Sequence, residues 1–240
     1  MEDCIRAEGL SKSYSGRPAV NGLTLSVPQG TAFGLLGANG AGKSTAIECL
    51  LGTKQPDRGT VSILGMDPRS DRKKLFQRVG VQFQEARWQD KITVGELCEV
   101  TASLYRRAEN IPPLLDQLGI ADKARRPVEE LSGGERQRLF IVLALLPRPD
   151  VVFLDELTTG LDARARRDVW KILAHRKSEG LTILLTSHFM DEVEALCDRI
   201  LILKRGQTVF AGTPAEAATA SPFDRFEDAY LWYTDEEEPR

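Results

Sequence analysis

Gly37-Ala38-Asn39-Gly40-Ala41-Gly42-Lys43-Ser44-Thr45 decides the reading of this chain. The stretch satisfies G-x-x-x-x-G-K-[ST]. Before it, Ala32-Phe33-Gly34-Leu35-Leu36 has the pattern of a short buried strand; after it, Ala46-Ile47-Glu48-Cys49-Leu50-Leu51 opens a helix pattern. Phosphate binding needs this order. Glycines let successive backbone N–H groups point inward with no Cβ in the way. The helix N-terminus adds positive potential. Lys43 offers a mobile cation to the β- and γ-phosphates, and Ser44 a hydroxyl to Mg²⁺. Gly37, Asn39, Gly40, Ala41, Gly42, Lys43, Ser44 and Thr45 are the expected cradle of a nucleotide.

The bulk of the chain is compatible with that site. Its 240 residues fit one large α/β domain or a domain with an inserted subdomain, and 42% apolar content fills a core without disulfide or metal. A net charge of −3 argues against nucleic-acid binding through bulk charge, so no nucleic-acid partner is expected. Cys4, Cys49, Cys98 and Cys197 show neither metal-ligand nor C-x-x-C spacing and read as reduced thiols. The longest apolar run, Leu139 to Leu146, is far short of the ~20 residues of a membrane span. Met1-Glu2-Asp3-Cys4-Ile5-Arg6 has no signal-peptide layout. The expected location is therefore cytoplasmic, with any membrane work left to a partner.

Elements can be placed along the chain. Strands are expected over Cys4–Leu10, Leu23–Val27, Thr60–Gly65 and Val79–Phe83. Thr93-Val94-Gly95-Glu96 is a capping box that opens a helix toward Tyr105, and a second helix runs from Ile111 to Leu118 and stops at Gly119. Val151–Leu154 and Thr182–Leu185 are continuous apolar runs, as strands buried on both faces should be. Pro214 to Tyr233 is helical in pattern, and the acidic Asp235-Glu236-Glu237-Glu238 reads as a solvated end.

Val151-Val152-Phe153-Leu154-Asp155-Glu156 completes the site chemically. A buried strand that ends in Asp at the carboxyl edge of a sheet is where an α/β nucleotide site places its Mg²⁺ acid. Asp155 takes that role, and Glu156, one residue on, can polarise an attacking water near the γ-phosphate. Leu131-Ser132-Gly133-Gly134-Glu135 precedes the apolar helix and forms a second anion-binding helix start. One nucleotide has one γ-phosphate, already cradled by the first loop. A second such site in the same chain implies that two copies share each nucleotide.

In combination these residues resemble the ATP-binding cassette (ABC) ATPases, over nearly the whole chain from about Cys4 to Tyr233. Ser132, Gly133 and Gly134 are similar to that family's signature motif, with Glu135 where Gln is usual. The resemblance implies an α/β fold: a P-loop NTPase core with a mixed sheet and an antiparallel β subdomain, plus an all-helical signature subdomain. The expected organisation is one ABC ATPase domain over residues 1–235. Residues 1–84 and 149–213 form its nucleotide-binding core, about 85–148 a helical insert, 214–233 a C-terminal helical stretch, and 234–240 an acidic tail.

Further roles follow from the resemblance. Tyr14 resembles the aromatic that stacks on adenine. Gln84 resembles the glutamine that senses Mg²⁺ and faces the transport partner; Gln82 competes for the role, and register favours Gln84. Asp162, in Thr159-Gly160-Leu161-Asp162, resembles the aspartate carried across the dimer interface, and His188 the switch histidine at the γ-phosphate. Leu157 and Ala163 stand where the family usually has proline, which touches loop geometry rather than phosphate chemistry. Lys43, Glu156 and His188 are then the catalytic residues, and Ser44, Gln84 and Asp155 the contacts of Mg²⁺.

Phe189-Met190-Asp191-Glu192-Val193-Glu194-Ala195-Leu196-Cys197-Asp198-Arg199 and Phe226-Glu227-Asp228-Ala229-Tyr230-Leu231 resemble the ABC-2 exporters within that family. The implied function is an ATP-hydrolysing subunit that pairs head to tail, with itself or a second ABC ATPase. It would drive an integral membrane permease in the export direction, from the cytoplasmic face of the membrane. The alternative is a soluble ABC ATPase that clamps a macromolecule without a permease.

Overall fold

Burial alternates along the first two strands, as it does in an antiparallel sheet with one wet face. β1 (Asp3–Tyr14) buries Cys4, Ile5, Ala7 and Leu10; β2 (Arg17–Pro28) buries Val20, Leu23, Leu25 and Val27. With β4 (Arg58–Ile63) they form a three-stranded antiparallel sheet in the order β2-β1-β4. The computed structural model describes residues 3–82 and 88–234.

The second sheet contains β3 (Ala32–Gly37), β5 (Val79–Gln82), β6 (Val151–Leu154), β7 (Thr182–Leu185), β8 (Arg199–Lys204) and β9 (Gln207–Gly212), in the order β5-β6-β7-β3-β8-β9. Every pairing is parallel except the last, so the sheet is mixed. The apolar runs of β3, β6 and β7 are buried throughout. Successive side chains go to opposite faces, and the structure contains two cores accordingly. Phe33, Leu35, Val151, Phe153, Leu184, Leu201 and Leu203 pack with the antiparallel sheet and with α1 (Lys43–Leu50). Ala32, Leu36, Val152, Leu154, Ile183, Leu185, Ile200 and Ile202 pack on the other side with the helices.

Those helices are α3 (Val94–Ser103), α4 (Ile111–Gln117), α5 (Gly133–Leu145), α6 (Ala163–Ser178) and α7 (Met190–Leu196); a single turn, α2 (Arg72–Leu75), precedes β5. The capping box on α3 is present: Thr93 Oγ1 accepts from the Glu96 N–H and Glu96 Oε2 accepts from the Thr93 N–H at 2.9 Å. Val94 and Cys98 of α3, Leu114 and Leu115 of α4, and Leu139, Ile141, Val142, Ala144 and Leu145 of α5 share one core with the sheet.

Several expected boundaries move. β1 and β2 run well beyond Cys4–Leu10 and Leu23–Val27, because β-bulges absorb the irregular stretch around Gly9 without ending the pairing. β4 ends at Ile63, where Leu64 and Gly65 take positive φ and turn the chain. α3 stops at Ser103 instead of Tyr105. The N–H groups of Leu104 and Tyr105 reach only three residues back, and Gln77 takes the Leu104 carbonyl and the Arg106 N–H. The stretch from Pro214 is two helices, α8 (Pro214–Thr219) and α9 (Phe226–Thr234), interrupted at Ser221-Pro222, where Pro222 has no N–H to give. Phe83, Gln84 and the acidic tail from Asp235 lie outside the described residues. No helix among the described residues is long and apolar enough to cross a membrane.

Candidate nucleotide site

β3, β7 and β6 are parallel neighbours, so the loops that leave their carboxyl ends emerge side by side. The glycine-rich loop follows β3, Asp155-Glu156 follow β6, and Ser187-His188 follow β7. In open α/β sheets, ligands bind at this edge.

Gly37 and Gly42 fix the loop. Both have positive φ, 147° and 107°, and a Cβ on Gly37 would stand 2.4 Å from the Leu203 carbonyl oxygen, one on Gly42 2.2 Å from that of Ala19. Only glycine fits either place. Gly42 caps α1 in a left-handed conformation with no side-chain cap. The first-turn N–H groups therefore have no partner within the helix and face an exposed loop at Ala38, Asn39 and Gly40. Lys43 is buried; its Nζ donates to the carbonyls of Gly37 at 2.7 Å and Ala38 at 3.1 Å, the loop folding over its own cation. Burial pushes the Lys43 pKa below the usual lysine value, while Glu156 and Asp155 act against that shift. Ser44 is exposed at the helix start.

On the opposite wall, Thr186 Oγ1 donates to Asp155 Oδ1 at 2.6 Å and accepts from the Glu156 N–H at 2.8 Å. The end of β7 thus orients both acidic residues at the end of β6. Glu156 Oε1 lies 3.4 Å from His188 Nε2. Glu156 holds φ at 52°, a left-handed conformation uncommon for a residue with a side chain, and such strain gathers at functional positions. Gln82 is buried, and its Nε2 donates to the Asp155 carbonyl at 3.0 Å. It belongs to the support of the acidic pair. Gln84, favoured over it by register, is outside the described residues.

The remaining residues singled out from the sequence lie elsewhere. Tyr14, exposed at the end of β1, has the ammonium groups of Lys54 and Lys12 at 5.2 and 5.8 Å from its ring centroid. Ser132 is the N-cap of α5 in a full capping box with Glu135, whose carboxylate also lies 3.4 Å from Lys123 Nζ. Gly133 and Gly134 form the first turn. Asp162 caps α6, its Oδ1 accepting from the Arg164 and Ala165 N–H groups at 2.9 and 2.8 Å. Gly134 packs against the Gly160 carbonyl and Leu161, so the starts of α5 and α6 stand together. Among the described residues, no hydrogen bond or ion pair joins Ser132, Gly133, Gly134 or Asp162 to residues 37–45.

Two supporting residues were not singled out from the sequence. Thr186 appeared only as part of the strand leading to His188. Gln137, one turn into α5, donates through Nε2 to the carbonyls of Glu156 at 3.1 Å and Leu157 at 2.6 Å. Its place next to the signature residues was the one signal available.

The family model for ABC transporter matches residues 20–159. Nod factor export ATP-binding protein I of Ralstonia nicotianae is 40% identical over 223 residues, which cover 90% of this chain and 68% of the relative. Daunorubicin/doxorubicin resistance ATP-binding protein DrrA of Streptomyces peucetius is 39% identical over 217 residues, covering 88% of this chain and 66% of the relative. A solved structure described as the ATP binding subunit of an ABC transporter superposes with a TM-score of 0.89 at 26% identity, over 96% of this chain and 99% of the other. The chain belongs to the ABC transporter family, as one of its ATP-binding proteins.

Proposed function

We propose that this chain is the ATP-hydrolysing subunit of an ABC exporter of the ABC-2 kind, working as a head-to-tail pair on an integral membrane permease at the cytoplasmic face. The observation that carries this reading is that the candidate phosphate-binding groups fall into two sets with no bond between them among the described residues. Lys43, Asp155, Glu156 and His188 gather at one sheet edge, whereas Gly134 stands with Gly160 and Leu161 at the starts of α5 and α6, and among the described residues no hydrogen bond or ion pair joins Ser132, Gly134 or Asp162 to residues 37–45. A second copy, turned about, brings its helix start to the first copy's phosphates. Residues 1–84 and 149–213 act as the nucleotide-binding core of this single domain, about 85–148 as the signature-bearing insert, and Tyr14 as the platform for adenine.

The residues fit Mg²⁺. The Ser44 hydroxyl and the Asp155 carboxylate are hard oxygen donors, and Gln84 is the third expected contact. Among the described residues no three His, Cys, Asp or Glu side chains form a metal cage. That donor set suits an ion which takes its other ligands from phosphate and water. When bound, the ion neutralises charge on the phosphates.

Lys43 exchanges the Gly37 and Ala38 carbonyls for β- and γ-phosphate oxygens. Glu156 accepts a proton from the attacking water as the new P–O bond forms and the bond between the γ-phosphorus and the bridging oxygen breaks. His188 donates to the γ-phosphate as negative charge shifts. ADP and phosphate leave when the pair opens, and this cycle moves the permease.

Purification of tagged Glu156→Gln from its native cell in the presence of ATP tests this reading. A multi-span membrane protein should co-purify in stoichiometric amount from solubilised membranes. Recovery only with nucleic acid or a soluble complex would replace the exporter reading with the clamp reading.

A further inference from the structure

Glu192, in the first turn of α7, is fully buried, and the cycle described above does not use it. A buried carboxyl requires a partner for each oxygen. Oε1 accepts from Trp170 Nε1 of α6 at 2.9 Å. Oε2 makes no bond of hydrogen-bond geometry among the described residues, and neither does the fully buried hydroxyl of Thr158. Burial raises the pKa of this carboxyl, and the Ser187, Trp170 and Thr158 side chains act against that shift.

These neighbours come from the three segments that matter most. Thr158 lies in the loop from Glu156 to Asp162. Ser187 precedes His188, and its Oγ accepts from the Phe189 N–H at 2.9 Å. Trp170 belongs to the helix that Asp162 caps. One turn earlier on that helix, the Arg166 guanidinium sits 4.4 Å from the Phe189 ring centroid and 3.7 Å from Asp191 Oδ1. A single face of α6 therefore grips the start of α7, and Glu192 is the buried polar centre of that grip.

We propose that Glu192 is a positioning residue for hydrolysis: it ties the loop of His188 to the loop of Asp162, so that the histidine in one site follows the interface with the second copy. The proposal rests on the head-to-tail reading above, since only there does Asp162 reach an interface. The two orphaned oxygens, Glu192 Oε2 and Thr158 Oγ1, are the adjustable part. A small shift of the Thr158 loop on pairing gives both a partner, and the polar pair then favours one loop arrangement over the other.

The test compares wild type with Glu192→Leu, Glu192→Gln and Trp170→Phe in steady-state ATP hydrolysis, equilibrium binding of a fluorescent ATP analogue, and thermal melting. Glutamine keeps both a donor and an acceptor and should stay within about threefold of the wild-type kcat, whereas leucine should lose about tenfold in kcat and its Hill coefficient should fall toward one. Analogue affinity should hardly change, which a merely structural defect would not spare. If Glu192→Leu does not fold, Trp170→Phe decides, with a smaller loss of the same kind expected. Folded variants that keep wild-type kcat and cooperativity would overturn the proposal while the head-to-tail reading stands. A wild type that hydrolyses ATP without cooperativity would overturn both.

Discussion

Gln137 holds the chain at Leu157 from behind, its amide donating to the Leu157 carbonyl at 2.6 Å and to that of Glu156 at 3.1 Å. The helix that begins at Ser132 thus carries part of the backbone on which the hydrolytic carboxylate of the same copy stands. Replacing Gln137 with Leu removes both donors. The Glu156 carbonyl keeps the Thr159 N–H at 3.2 Å, so the buried carbonyl of Leu157 is the one left without a donor; that costs about 1–3 kcal/mol, and urea denaturation should register a loss of that order. Turnover should fall by about tenfold, with ATP affinity nearly unchanged, because the amide acts on Glu156 and not on the phosphates.

Glu156 faces His188 at 3.4 Å, at the carboxyl edge shared with the glycine-rich loop. Glu156→Gln keeps the shape and removes the proton acceptor. Hydrolysis should drop by a factor on the order of 10²–10⁴, the usual contribution of a general base. ATP should still bind, and gel filtration with ATP should show a persistent dimer. Unchanged turnover would remove Glu156 from the chemistry.

Lys43 is a cation that the loop buries at a cost. Its lowered pKa means that the charged form is disfavoured in the folded state relative to the unfolded one. That burden is fully present below the folded pKa and is relieved as pH rises toward the unfolded value. Lys43→Met should therefore melt no lower than wild type without nucleotide near neutral pH. The stabilisation that ATP gives the wild type should vanish, and differential scanning fluorimetry with and without ATP separates the two effects.

Carboxylates at helix starts set the acid side of the stability profile. The Ser132 N–H holds Glu135 below its ordinary pKa, and the Thr93 N–H does the same for Glu96. A folded pKa below the unfolded one gives stability that is complete above the unfolded value and lost as pH falls through the folded one. The double variant Glu96→Gln/Glu135→Gln should be less stable than wild type near neutrality. It should also lose less of its stability between about pH 5 and pH 3. Parallel denaturation curves across that range would contradict the assignment.

What the sequence made legible is what lies close together along it. The glycine loop, the acidic end of β6, the capping box at Thr93 and the helix start at Ser132 are local patterns, and local chemistry forms them. β6 and β7 matched their apolar runs to the residue because burial on both faces leaves no polar position to blur an end. The supports were illegible for the opposite reason. Gln137 reaches its carbonyls across 19 and 20 positions, Thr186 reaches Asp155 across 31, and Trp170 reaches Glu192 across 22. A polar residue in a helix or at a strand end carries no mark of its distant partner. The break at Ser221-Pro222 was visible as letters, yet the apolar periodicity on either side masked it.

The left-handed backbone at Glu156 also bears on how this gene can decay. A single base change in a glutamate codon leads to aspartate, glutamine, lysine, alanine, valine, glycine or a stop. Branched valine suits that backbone least, and glycine relieves it altogether. The substitution that the fold accepts most readily is therefore one that deletes the carboxylate. Its product would keep the fold and still take a place beside an intact copy. Loss at this codon would then act as a poison on mixed pairs, dominant over the working allele, rather than as a silent absence.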